Sequence, residues 1–254
     1  MTTFKDHFST QSADYARFRP SYPEELYAWL AGQAPGRNLA WDVATGSGQA
    51  ARGLAPFFER VYASDASAEQ INNAVAHHNV EYAVGSCDTS GLAEGSVDLV
   101  SVAQALHWFD REVFFEEVRR VSAPGGLVAA WCYGHLTVDS ALDPLLLHFY
   151  EGVVGPYWPP ERVLIEQGYR TLEFAFDEIE TPPFAIRRSW NLDQLTGYLG
   201  TWSAVQRYRA DRGEDPIPVL RRELELRWGD AAAEREIRWP LSLRAGRVAE
   251  GRGR

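Results

Sequence analysis

From about residue 39 to residue 134 the chain alternates short apolar runs with helical patterns, and few folds accept that order. The apolar runs are Leu39 to Val43, Val61 to Ser64, Val80 to Val84, Val97 to Val102 and Leu127 to Cys132. Helical patterns lie between them, from about Gln49 to Phe58, Ala68 to His77 and 111 to 121. Strands and helices alternating at this spacing predict a parallel sheet built with right-handed crossovers. Buried parallel strands are covered on both faces and read as near-continuous apolar runs, which Val97-Asp-Leu-Val-Ser-Val102 nearly is.

The flanks differ. Pro23 at a first helical position, Glu24 and Glu25 in the first turn and Gly32 past the end predict a short N-terminal helix. Beyond residue 135 the alternation stops and prolines punctuate the chain. Helical patterns remain near 161–169, 192–210 and 217–228, with strand-like runs at Leu172 to Ile179 and Ile237 to Leu243. The expected organisation is an N-terminal helical lid (1–36) and a cofactor-binding α/β core (37–135). The rest of the sheet with an inserted helical cap follows (136–245), then a tail (246–254).

Composition narrows the partners. With 25 basic and 35 acidic residues the net charge is -10, which disfavours nucleic acid, whose binding rests on phosphate neutralisation. Cys87 and Cys132 share no metal-ligand spacing and read as reduced thiols of a cytoplasmic protein. No apolar run is long enough to cross a bilayer, so no membrane partner is expected. Oligomeric state is not legible.

The stretch Trp41-Asp42-Val43-Ala44-Thr45-Gly46-Ser47-Gly48-Gln49-Ala50-Ala51 carries the first chemical signal. Glycines between a strand and a helix let backbone approach a ligand at a helix N-terminus. The glycines alone also fit a dinucleotide fingerprint. Asp42 separates the two readings. A carboxylate at the strand end would repel a pyrophosphate, whereas it would attract an ammonium such as that of S-adenosylmethionine. Asp65 ends the next run roughly twenty residues on, the position of a ribose-hydroxyl acceptor. Asp88, after the third run, could accept from an adenine amino group. Three acids at neighbouring strand ends form one crevice, where open α/β sheets bind ligands.

These motifs resemble a known family. Asp42-x-Ala-x-Gly46-x-Gly48 resembles the first motif of class I methyltransferases, with Ala44 replacing a glycine. Ser96-Val-Asp98 through Gln104-Ala-Leu-His107-Trp108-Phe109, and Arg119-Arg-Val-Ser-Ala-Pro124-Gly125-Gly126, resemble the type 11 methyltransferase family. Tyr15-Ala-Arg17-Phe18-Arg19-Pro20-Ser-Tyr22-Pro23 and Thr201-Trp202-Ser203 resemble its trans-aconitate-type small-molecule subgroup. The resemblance runs from about residue 8 to 245. It implies a Rossmann-like α/β fold with a seven-stranded, mostly parallel sheet, an antiparallel last strand and helices on both faces. It also implies an S-adenosylmethionine site, with S-adenosylhomocysteine as product and no metal, made by Tyr15, Arg19, Asp42, Ala44, Thr45, Gly46, Gly48, Asp65, Ala66, Gln70, Cys87, Asp88 and Gln104.

Methyl transfer from a sulfonium is a direct displacement, so alignment and desolvation can do much of the work without a catalytic dyad. His107 is the candidate base or substrate hydrogen bond. Tyr22, His107, Trp108, Tyr198 and Trp202 are the candidate substrate contacts. The expected reaction is O-methylation of a small organic acid. N- or C-methylation of a small metabolite, a nicotinamide-dependent oxidoreductase and a non-catalytic cofactor-binding module remain the alternatives.

Overall fold

The computed structural model describes residues 20–249. Helix α1 (Glu24–Gln33) buries Leu26, Tyr27, Leu30 and Ala31 along one side. Each such leucine contributes about 1.5–3 kcal/mol through removal from water. Gly32 lies inside the last turn, not beyond it. The helix ends because Ala34 precedes Pro35, which forces Ala34 into an extended conformation (φ -67°, ψ 146°).

Five strands follow as the apolar runs predict: β1 (Leu39–Val43), β2 (Arg60–Asp65), β3 (Val80–Val84), β4 (Val97–Ala103) and β5 (Ser122–Tyr133). They are parallel in the spatial order β3-β2-β1-β4-β5. β8 (Arg235–Arg247) then runs antiparallel beside β5, and the two-residue β6 (Asp177–Glu178) completes that edge. β7 (Ala185–Trp190) pairs with the first half of β8 as an eighth strand.

Helices cover both faces. Leu127, Ala129 and Trp131 of β5 join one core with α1, α2 (Gln49–Leu54), α7 (Leu192–Gly200) and α9 (Ile217–Trp228). Val128, Ala130 and Cys132 join a second core with α4 (Arg111–Val121) and α6 (Arg162–Glu166). The alternation is the strand period of two, with both faces packed. Gly53 is required where α1 meets α2, since a Cβ there would lie 2.1 Å from the Tyr27 ring.

Three further expectations are corrected. The helix from Ala68 stops at Asn72 (α3), because it buries no residue and has no packing to extend it. The pattern over 192–210 breaks at Thr201-Trp202 into α7 and α8 (Ser203–Arg212). Gly200 O there accepts from Gln206 Nε2 (2.7 Å) and Arg209 Nη1 (3.2 Å), so the broken ladder is satisfied by side chains. Of Leu172 to Ile179 only Asp177–Glu178 pairs in a sheet, while Leu172 and Phe174 are buried as irregular backbone. Arg187 and Arg188 lie on β7, where Arg187 makes an exposed ion pair with Glu236 on β8 (2.6 Å).

Candidate functional site

Because β1 to β5 are parallel, the segments after Val43, Asp65, Val84, Ala103 and Tyr133 share one sheet edge. Asp42 lies beneath the first of them, fully buried. Its Oδ2 accepts from Thr45 Oγ1 (2.5 Å) and its Oδ1 from Ser101 Oγ of β4 (2.7 Å). Burial pushes its carboxyl up to about 6, against the opposing effect of those hydroxyls. Asp42 therefore grips the glycine loop from below and lends it negative charge.

Asp65 grips the same loop from the side. Its Oδ2 accepts from the Gly46 N–H and its Oδ1 from the Ser67 N–H, both at 2.8 Å. A carboxylate offers about four acceptor positions, so capacity for ligand hydroxyls remains. Gly46 (φ +57°) and Gly48 (φ +81°) are left-handed, and so is Ala44 (φ +53°), at a cost of about 1–2 kcal/mol for a residue bearing Cβ. The Gln70 side chain lies beside Gly46, 3.7 Å from where its Cβ would be, and Ala66 is exposed on the adjacent turn. The structure thus brings together Asp42, Ala44, Thr45, Gly46, Gly48, Asp65, Ala66 and Gln70.

After β3, Cys87 is half-buried, its thiol pushed up to about 11 by burial and then by the neighbouring Asp88. Asp88 is exposed and accepts from the Ser86 hydroxyl. After β4, Gln104 is held left-handed (φ +61°) while its N–H bonds Trp131 O (2.8 Å) and its Nε2 reaches Tyr133 O (3.4 Å). Among the described residues, the non-glycine residues at positive φ are Ala44, Gln104 and Tyr169. Two of them are at neighbouring strand ends and the third is the partner of His107. Strained backbone of this kind gathers at functional sites.

His107 sits in the turn Leu106–Trp108, buried, with Nδ1 2.9 Å from Tyr169 Oη and its ring 4.5 Å from the Trp108 ring. Burial, then Arg162, lowers it to about 4, so its ring is neutral near pH 7. Tyr22, Tyr198 and Trp202 lie on the opposite face. Tyr22 packs edge-on against Trp131 (5.5 Å), and Tyr198 accepts from Trp239 Nε1 (3.1 Å) and packs against Trp202 (6.1 Å). The candidate substrate residues are therefore split between the two faces. Tyr15 and Arg19 lie outside the described residues.

Sequence reasoning missed Ser101, Tyr169, His135 and Arg162. Ser101 had a signal, as the polar residue paired with Asp42 within the otherwise aliphatic stretch Leu99 to Ala103. A cavity of about 360 Å³ lies at the opposite sheet edge, lined in part by Arg119, Arg120, Asp177 and Arg247. Arg120 is tied to Glu117 and Arg247 to the Gln33 carbonyl, so it offers no comparable chemistry. Among the described residues no group of three His, Cys, Asp or Glu could hold a metal, and no helix is long and apolar enough to cross a membrane.

A glycine loop clasped by two strand-end acids, on a sheet in this order with an antiparallel strand beside β5, defines a class I methyltransferase. The chain belongs to the methyltransferase domain family, type 11, whose profile matches residues 41–130. It is 34% identical over 227 residues to a Dictyostelium discoideum methyltransferase, covering 88% of this chain and 86% of that one. A Schizosaccharomyces pombe methyltransferase is 32% identical over 214 residues, covering 82% of each chain. A solved type II methyltransferase from Anaeromyxobacter dehalogenans is 46% identical, with a TM-score of 0.89 over 91% of this chain and 99% of that one. The chain is an S-adenosylmethionine-dependent methyltransferase with a Rossmann-like fold.

Proposed function

We propose that this enzyme methylates an oxygen of a small organic acid, as the trans-aconitate-type subgroup it resembles would. The observation carrying this reading is the state of His107. Buried against Tyr169 and lowered to about 4, it is a weak base near neutral pH. An acceptor that must lose a proton would find little help there. A carboxylic acid needs none, because it is already ionised.

When bound, S-adenosylmethionine supplies an electrophilic methyl group that passes to the acceptor in one displacement. Asp42, held by Thr45 and Ser101, fixes the loop and adds negative charge beneath the position proposed for the ammonium group. Asp65 holds Gly46 and offers remaining lone pairs to ribose hydroxyls. Asp88 and Cys87 flank the adenine end, and Gln104 lines the crevice at the end of β4. Tyr15 and Arg19 are assigned to the cofactor's carboxylate by resemblance. His107 orients the acceptor as a hydrogen-bonding group beside Trp108, and Tyr22, Tyr198 and Trp202 approach it from the other face of the sheet.

The test is a panel of small carboxylic acids, amines and phenols incubated with enzyme and S-adenosylmethionine. The expected product is an ester, one methyl heavier than the acid and cleaved by mild base. A base-stable product methylated on nitrogen or carbon would contradict the reading.

A further inference from the structure

Among the described residues, Ser122 Oγ is buried without a hydrogen bond at the N-terminal start of β5, and a group of such atoms lies toward the other end of the strand. That group is Trp131 Nε1 and both ring nitrogens of His135. All lie at the C-terminal end of β5 or just beyond it, on the sheet edge that carries the Asp42 loop. A buried unsatisfied polar group costs about 1–3 kcal/mol, and such groups in a native structure need an explanation.

The surroundings of His135 supply one. Its ring lies 5.1 Å from that of Tyr150, within the π-helical turn Phe149–Val153. On Tyr150, the hydroxyl accepts from Arg162 Nε (2.6 Å) and donates to Glu166 (2.7 Å). The Arg162 guanidinium lies over the Trp158 ring at 4.6 Å. Trp202 meets both Tyr150 (5.6 Å) and Trp158 (5.5 Å). Among the described residues only Nε of Arg162 is hydrogen-bonded, and no carboxylate lies within ion-pair distance of it. The planar fork of terminal N–H groups is what a carboxylate binds in bidentate fashion.

We propose that Arg162 and His135, bracketing Tyr150, recognise the carboxylate of the acceptor, with Tyr150 and Trp202 as walls for its apolar body. This rests on the acid-acceptor reading above and names the groups that select for it. A carboxylate has about four acceptor positions, so the pair leaves lone pairs free for attack on the methyl group. Other groups temper the pair. Burial lowers the His135 ring, Asp143 opposes that and Arg162 adds to it, so the ring serves the carboxylate as a hydrogen-bond donor, while Glu166 shares the Tyr150 hydroxyl. Arg162 also lowers His107, so its positive field extends across the cleft.

The experiment measures phenylacetate and phenylacetamide binding to protein saturated with S-adenosylhomocysteine, by calorimetry and by NMR of labelled histidine rings. Phenylacetate should bind at least about tenfold more tightly than the amide and shift the His135 ring signals. Arg162→Gln should lose at least about tenfold in affinity for the acid, and Arg162→Lys less. His135→Phe should weaken the acid while leaving the thermal midpoint unchanged or higher, because it removes unsatisfied nitrogens. All three variants should bind S-adenosylhomocysteine as wild type does. Equal binding of acid and amide, no binding of the acid at high millimolar concentration, or an unchanged Arg162→Gln variant would each overturn the proposal. Failure of S-adenosylhomocysteine to bind wild type is a separate outcome and strikes the cofactor site. A nitrogen- or carbon-methylated product strikes the acid-acceptor reading.

Discussion

The ends of β1 and β5 face the same crevice and are built on opposite plans. At the end of β1 and of its neighbour β2, both oxygens of Asp42 and both of Asp65 are engaged by hydroxyls and backbone N–H groups of the chain itself. At the end of β5, Trp131 and His135 keep buried nitrogens that no described residue satisfies. The first region is complete before any ligand arrives, which suits a cofactor common to a whole family. The second depends on a guest to complete it, which suits an acceptor that differs from one enzyme to the next. A fixed loop and a conditional pocket serve fidelity to the cofactor and choice of substrate respectively.

The comparison predicts unequal responses to substitution. Asp42→Ala should have the largest effect, weakening S-adenosylhomocysteine by more than about tenfold and leaving two buried hydroxyls without their acceptor, at about 1–3 kcal/mol each. Calorimetry and thermal melts would read both. A variant with affinity and midpoint intact would break the contrast.

Acid stability should sharpen it. His107 is lowered from its ordinary range to about 4, so the folded state binds its proton less readily than the unfolded chain does. Its contribution is present above about pH 6.5 and is lost as pH falls toward 4, up to about 3 kcal/mol. Asp42 has the opposite sign. Raised to about 6, it favours the fold below about pH 4, and that advantage fades as pH rises through 6. His107→Gln should therefore flatten the loss of stability between pH 6.5 and 4, and Asp42→Asn should steepen it. Urea melts across that range would show whether the two oppose each other.

Smaller effects come from the loop backbone. Gly48→Ala puts a Cβ 2.3 Å from Tyr82 Oη at φ +81°, so Tyr82 must move and about 1–2 kcal/mol of strain is added. Ala44→Gly should do the reverse, stabilising the fold by about 1 kcal/mol, since Ala44 already sits at φ +53°. A melt showing Ala44→Gly less stable than wild type would mean that the methyl packs usefully against its neighbours.

The same division governs what was legible beforehand. β1, β2, β4, β5 and α4 announce themselves because largely buried parallel strands and one strongly amphipathic helix leave clear apolar patterns, and the edge strand β3 is legible from its short apolar run alone. Asp42, Gly46, Gly48 and Asp65 are visible because one loop compresses them into a short motif. β7 was hidden, since Ala-Ile-Arg-Arg-Ser-Trp buries only Ile186 and Trp190 and takes its order from pairing with β8. The break at Trp202 was hidden too, because distant side chains cap it. His135 and Arg162 carried no pattern at all. Their significance lies in bonds they do not make, which only three dimensions display.

The most direct test of the account is calorimetric titration of wild type, Asp42→Ala and Asp65→Ala with S-adenosylmethionine and S-adenosylhomocysteine. The account predicts micromolar binding to wild type and at least about tenfold weaker binding to both variants. Unchanged affinity in the variants, or no binding to a folded wild-type protein, would contradict the assignment of the crevice at the ends of β1 and β2.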